Sequence, residues 1–128
     1  PSAVANIMNR LRGPFNVASP ALAAGLAALS DVEFTNKVRN HTAKWLGWTK
    51  GQLIQLGLEV PSQVGNFLLV HFPSTGKSAK ATNDFLKSRG LIVRAMDGYG
   101  LPNYLRITIG REEEMRTLVS AVKEFHGQ

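Results

Sequence analysis

The hydrophobic period changes along the chain, and that change decides which fold class it can enter. In the first half apolar residues recur at helical spacing. Residues 2 to 11 are expected to form a helix with Val4, Ile7, Met8 and Leu11 on one stripe. "RGPF" breaks it, because Gly followed by Pro ends a helix. "ASPALAAGLAAL" starts a second helix, with Ser19 as N-cap and Pro20 in the first turn, and its small side chains suit close packing on another helix. "SDVE", residues 30 to 33, has capping-box spacing through Ser30 and Glu33. A long helix is expected from there to about Leu56, with Phe34, Val38, His41, Trp45, Leu53 and Leu56 on its stripe and Gly57 as its C′ residue.

The second half alternates. "NFLLVHF" (66 to 72) is rich in β-formers and reads as a strand. "SAKATNDFLKSRG" (78 to 90) reads as a helix capped by Ser78 and ended by Gly90. "LIVRAM" (91 to 96) and "YLRITIG" (104 to 110) read as strands joined by the loop "DGYGLPN". "REEEMRTLVSAVKEFH" reads as a helix buried through Met115, Leu118, Val119 and Val122, with its three glutamates in the first turn, where the helix dipole favours negative charge. Helices followed by strand–helix–strand–strand–helix give an α+β class: a small, mostly antiparallel sheet with helices on one side.

Composition narrows the function classes. The chain has 128 residues, 44% of them apolar, which is enough for a core. There are no cysteines, so disulfides, thiol chemistry and Cys-ligated metals are excluded. No apolar run approaches the roughly 18 residues of a membrane span. The N-terminus "PSAVANIMNRLRG" lacks the apolar region of a signal peptide, so a cytoplasmic location is expected. The net charge of +6 comes from scattered lysines and arginines with no aromatic interleaving, which points to solvated helix faces rather than a nucleic-acid surface. The abrupt start without Met suggests a piece of a longer chain.

Three constellations are candidates for chemistry. "HFPSTGKS" (71 to 78) lies between a strand and a helix, as a phosphate loop does, and Gly76, Lys77 and Ser78 fit the motif. His71 stands where the first glycine is required, and the stretch reads better as a polar loop capped by Ser78. His41, His71 and His126 lack paired metal-ligand spacing, and no Ser–His–Asp or paired-carboxylate set can be assembled. The third constellation is Arg94 and Arg106. Side chains alternate along a strand, so Leu105, Ile107 and Ile109 point one way and Tyr104, Arg106 and Thr108 the other. If the two strands form a hairpin centred near Gly100, Arg94 and Arg106 face each other across the ladder. Like charges placed so are destabilising unless an anion lies between them, and a phosphate or dicarboxylate would accept several charge-assisted hydrogen bonds. The alternative is that one arginine reaches water while the other pairs with Asp97 or a glutamate.

"GLPNYLRITIGREEE" closely resembles the C-terminal signature of histidinol-phosphate aminotransferases. "RGPFNVASPALAAGLAALSD", "LGLEVPSQVGNFLLVHF" and "RGLIVRAMDGYGLP" resemble successive blocks of the same family in the same order. The resemblance implies the small C-terminal domain of the aspartate-aminotransferase-like fold, with residues 1–30 as the end of the large domain and connecting helices and 31–128 as the small domain. It implies transamination between histidinol phosphate and 2-oxoglutarate, with pyridoxal phosphate as cofactor in a full-length homodimer. Arg106 matches the family's substrate-anion arginine in L-R-I-T-[IV]-G, and Arg94 is similar to its second one. Tyr99 and Asn16 are possible pocket residues. The Schiff-base lysine motif has no match here, so this chain alone is expected to be inactive and to hold no cofactor. An aromatic amino-acid aminotransferase of the same subgroup, or a non-catalytic anion-binding domain, are the alternatives.

Overall fold

The computed structural model describes residues 1–13, 15–61, 65–73 and 76–127. Pro14 of the "RGPF" break and Ser74 and Thr75 of "HFPSTGKS" lie outside the described residues. The chain divides into two compact units, Pro1–Lys37 and Val38–Gln128.

The first unit holds α1 (Ser2–Leu11), α2 (Ser19–Ser30) and the start of α3 (Val32–Gln55). Every described residue in it is exposed, including the stripe Val4, Ile7, Met8 and Leu11 and the α2 residues Leu22, Leu26 and Leu29. Two expected caps move by one residue. Ala18, not Ser19, is the N-cap of α2, and Ser19 is already helical with Pro20 behind it. The cap of α3 is Asp31, whose Oδ1 accepts the Phe34 N–H at 2.9 Å. Ser30 is still a helical residue of α2, where its hydroxyl donates back to the Leu26 carbonyl at 3.1 Å, so the expected capping box gives way to the cap at Asp31.

The second unit contains the sheet. Its three strands are β1 (Phe67–His71), β2 (Arg94–Ala95) and β3 (Tyr104–Thr108), in the order β1-β3-β2 and antiparallel throughout. Helix α4 (Ala79–Ser88) follows β1, and α5 (Glu112–His126) follows β3. The expected strand 91–96 shrinks to two laddered residues. Leu91 and Val93 turn to the core while Ile92 is 78% exposed, so the segment packs without pairing.

Burial alternates along β1 and β3 as the sequence pattern requires. One sheet face joins Leu68, Val70, Leu105 and Ile107 to Ala79 and Leu86 of α4 and to Leu118, Ala121 and Val122 of α5. Leu53 from the C-terminal part of α3 enters the same core with Leu58 and Val60. The buried stripe of α3 is Trp45, Thr49 and Leu53; Phe34 and Val38, expected on it, are 60% and 45% exposed. Ser78 caps α4 by accepting the Ala81 N–H, and Gly90 ends that segment with φ 74°, a left-handed angle that glycine adopts at little cost. Gly57 does the same after α3 with φ 80°.

The C-terminal turn of α5 is pinned by His126. Its Nε2 lies 2.9 Å from the hydroxyl of Thr82, which is fully buried, and its ring contacts Phe72 at 5.4 Å. Burial, then the nearby Lys77 ammonium, lowers its pKa below the ordinary 6.5.

Two predictions concern this core. Leu68→Ala removes a side chain with no exposed surface and is expected to cost about 2–5 kcal/mol in urea denaturation; a loss below about 1 kcal/mol would contradict the packing. Because the folded pKa of His126 lies below its unfolded value, the unfolded chain takes up a proton first as pH falls. Its contribution is therefore present above about pH 6.5 and is lost below it. Denaturation midpoints measured from about pH 8 to about pH 5 should fall more steeply for the native chain than for His126→Gln. Parallel curves would show that His126 is not the titrating group.

Candidate anion-binding site

The site is built by the hairpin register. Ala95 pairs with Leu105 and Arg94 with Arg106, so the hairpin is centred on residue 100. A 3₁₀ turn, Asp97–Tyr99, closes it, with Tyr99 N–H and Leu101 N–H both donating to the Met96 carbonyl, at 3.0 and 3.2 Å. Gly100 follows at φ 74°, a conformation a bulkier residue would resist. On the other side of β3, Leu69 of β1 pairs with Arg106. Residues directly opposite in an antiparallel ladder share a face. Leu69, Arg106 and Arg94 therefore form one row across the sheet, on the face turned away from Leu68, Val70, Leu105 and Ile107.

The two guanidinium groups are held differently. Arg106 is half-buried, its Cζ lies 5.1 Å from the centroid of the Phe67 ring, and its Nε is buried with no hydrogen-bond partner among the described residues. Arg94 is exposed; its Nη2 donates to the Tyr99 hydroxyl at 2.5 Å, and its Cζ lies 5.2 Å from that ring. Among the described residues neither arginine forms an ion pair.

The acidic cluster that follows β3 is engaged within α5. The Glu114 Oε2 accepts the Arg111 N–H at 2.7 Å while its Oε1 meets the Arg111 Nη2 at 3.0 Å, and Glu112 takes Arg116 Nε at 2.9 Å. The backbone hydrogen bond and the Arg111 guanidinium hold the Glu114 carboxyl below its usual range. Glu114 thus caps the Arg111 N–H at the start of α5, and no carboxylate of the cluster reaches Arg106 in an ion pair.

Tyr99 thus joins the pair, through Arg94. Asn16 lies exposed in the segment between α1 and α2, in the first unit. Phe67 is the residue the sequence reading passed over. Strand alternation from Leu68 and Val70 already puts it on the arginine face, where its Cα partner is Thr108, two residues from Arg106.

The competing constellations have structural tasks. Lys77 Nζ donates to the His126 carbonyl at 3.0 Å, and Ser78 caps α4, so "GKS" joins α4 to the end of α5. His41 Nε2 lies 2.9 Å from the Gly110 carbonyl, and His71 Nδ1 lies 3.3 Å from Glu59 Oε2. Among the described residues no three metal-ligating side chains come together.

The arrangement therefore offers two cations on one face, each with hydrogen-bond donors. Such an arrangement is chemically able to accept a carboxylate or phosphate.

Proteins of known sequence and solved structures resemble this chain along nearly its whole length. The family model for aminotransferase class I and II matches residues 1–122. A histidinol-phosphate aminotransferase from Paramagnetospirillum magneticum is 54% identical over 99% of this chain and 35% of its own length. One from Nitrobacter hamburgensis is 46% identical over the whole chain and 35% of its length. The chain thus spans about a third of the curated relatives it matches. Among solved structures, histidinol-phosphate aminotransferase from Sinorhizobium meliloti in complex with pyridoxal-5'-phosphate superposes with a TM-score of 0.80 at 25% identity, over 98% of this chain and 34% of that one. The aspartate aminotransferase from Thermotoga maritima shares the fold, with a TM-score of 0.70 at 16% identity over 99% of this chain and 33% of that one. The α+β unit described above is thus part of the aspartate-aminotransferase-like fold, and the chain belongs to the class I and II aminotransferase family.

Proposed function

We propose that this chain is the substrate-recognising part of a histidinol-phosphate aminotransferase, which exchanges an amino group between L-histidinol phosphate and 2-oxoglutarate in histidine biosynthesis. The observation that carries the reading is the register pair Arg94–Arg106, two arginines on one face with no carboxylate of their own among the described residues. The relatives' 54% and 46% identity supports the substrate assignment.

Both half-reactions bring an anion to the same place. Glutamate offers its carboxylates and histidinol phosphate offers a phosphate. Arg106 is the fixed donor for either. Arg94 supplies the second positive charge that a phosphate dianion needs. Asn16 is assigned to the junction with the rest of the enzyme. Residues 1–30 are assigned to the end of the large domain and its connecting helices, and 31–128 to the small domain. The apolar residues exposed on α1 and α2 fit a segment that packs against the remainder of such an enzyme as a homodimer. No described helix is long and apolar enough to cross a membrane, in keeping with a cytoplasmic biosynthetic enzyme.

Pyridoxal phosphate is the cofactor of this reading; when bound it supplies the electron sink for moving the amino group. The described lysines are exposed or half-exposed, and Lys80 is tied to Asp84 at 2.7 Å, so this chain offers the cofactor no buried amine. The cofactor's ligands are assigned to the part of the enzyme beyond this third of its length. This chain's own residues bind and orient the substrate's anionic end.

In the complete enzyme, Arg106→Ala is expected to cost about 2–5 kcal/mol in kcat/KM for both histidinol phosphate and glutamate, as when one partner of a buried charged pair is removed. Arg106→Lys should recover only part, because an ammonium cannot match a bidentate fork. Arg94→Ala should weaken the phosphorylated substrate more than glutamate or phenylalanine. Steady-state kinetics on the three substrates decides this, and equal losses on all of them would remove Arg94 from phosphate recognition.

A further inference from the structure

Two guanidinium groups placed across a ladder repel each other and turn apart unless something holds them. Carboxylates would hold them and also cancel their charge. Here aromatic rings hold them instead. Arg106 Cζ lies 5.1 Å from the Phe67 centroid and Arg94 Cζ lies 5.2 Å from that of Tyr99. A ring face attracts a cation through its quadrupole and uses no N–H donor. The Tyr99 hydroxyl accepts one donor of Arg94, at 2.5 Å, and a neutral phenol adds no negative charge. Both arginines keep their full charge and most of their donors.

We propose that Phe67 and Tyr99 are the positioning residues of the anion site, holding Arg106 and Arg94 through ring faces and a neutral hydroxyl so that the paired charge stays available to the incoming substrate. The proposal rests on the reading above, that these arginines bind the substrate's anionic group. Backbone placement fixes both supports. Phe67 sits on β1 diagonally across from Arg106 on the same face. Tyr99 ends the 3₁₀ turn, which brings its ring back over the strand five residues earlier.

The two supports differ in stiffness. Phe67 and Arg106 are both half-buried on paired strands, whereas Tyr99 is 62% exposed in the hairpin loop and Arg94 is exposed too. Arg106 is thus the fixed cation and Arg94 the adjustable one. That asymmetry matches a site that takes a singly charged carboxylate with one arginine and a doubly charged phosphate with both.

The test compares Tyr99→Leu, Tyr99→Phe and Phe67→Leu with Arg106→Ala in the complete, cofactor-loaded enzyme, using steady-state kinetics and inhibition by inorganic phosphate. Tyr99→Leu should raise KM for histidinol phosphate roughly three- to tenfold, the scale of a lost cation–π contact with its hydrogen bond, and should raise it less for glutamate. Tyr99→Phe, which keeps the ring, should recover part of the loss. Phe67→Leu should raise KM for both substrates, and Tyr99→Leu should weaken phosphate inhibition by a similar factor. If Phe67→Leu fails to fold, the Tyr99 pair decides alone. Should Arg106→Ala be impaired while the Tyr99 and Phe67 variants bind phosphate as the native enzyme does, the positioning role is wrong and the arginine site stands. Should Arg106→Ala bind phosphate and both substrates normally, the arginine reading itself has failed. A fall in kcat at unchanged KM for Tyr99→Leu would mark a general structural effect and would also overturn the proposal.

Discussion

Arg94 and Arg106 stand at opposed positions of one ladder, where like charges cost stability unless something offsets them. The β2–β3 register sets them opposite each other, and the β1–β3 register places Leu69 next in the row. The folded chain thus holds two like charges where a ladder ordinarily tolerates none. Energy for that arrangement comes from the other face, where Leu105 and Ile107, at 1% exposure each, lock β3 against α4 and α5. Sliding β3 by one residue would relieve the repulsion but would turn those two side chains out of the core. Burying one face therefore compels the charge pairing on the other.

Several charges elsewhere in the second unit are engaged with one another and not with this pair. The three glutamates next to β3 serve the start of α5, where dipole and capping favour them. Lys80 and Asp84 satisfy each other on α4. These exposed pairs contribute little to stability. Their consequence is local: Glu112, Glu113 and Glu114, the glutamates that follow Arg106, are engaged within α5.

Much of this was legible in the sequence, for physical reasons that can be named. Strand alternation in "YLRITIG" shows which residues share a face, and the hairpin centre near Gly100, which the sequence allows only as an assumption, is the register the strands adopt. Caps with a single candidate, Ser78 and Gly90, were found because only one residue type at each end suits the geometry. Ser30 and Asp31 are adjacent capping residues, and the extension of α2 through Ser30 decided between them, which spacing does not encode. The short β2 was overread because Leu91 and Val93 have strand-like composition but bury without pairing. Phe34 and Val38 lie on a genuine helical stripe, and periodicity marks an apolar face without saying what covers it. Tyr99 was among the expected pocket residues, whereas Phe67 was missed because a ring beneath a guanidinium is a tertiary contact, with Phe67 and Arg106 far apart in sequence.

The central claim is that an outside anion relieves the repulsion between the two arginines. The most direct measurement is urea denaturation of the 128-residue chain with increasing inorganic phosphate, run beside Arg94→Ala and Arg106→Ala. Phosphate stabilises most proteins to some degree by exclusion from their surface, so the difference between curves is what counts. Ligand linkage predicts an added, saturating rise in stability for the native chain that is absent from both variants. The same rise in all three chains would contradict the account.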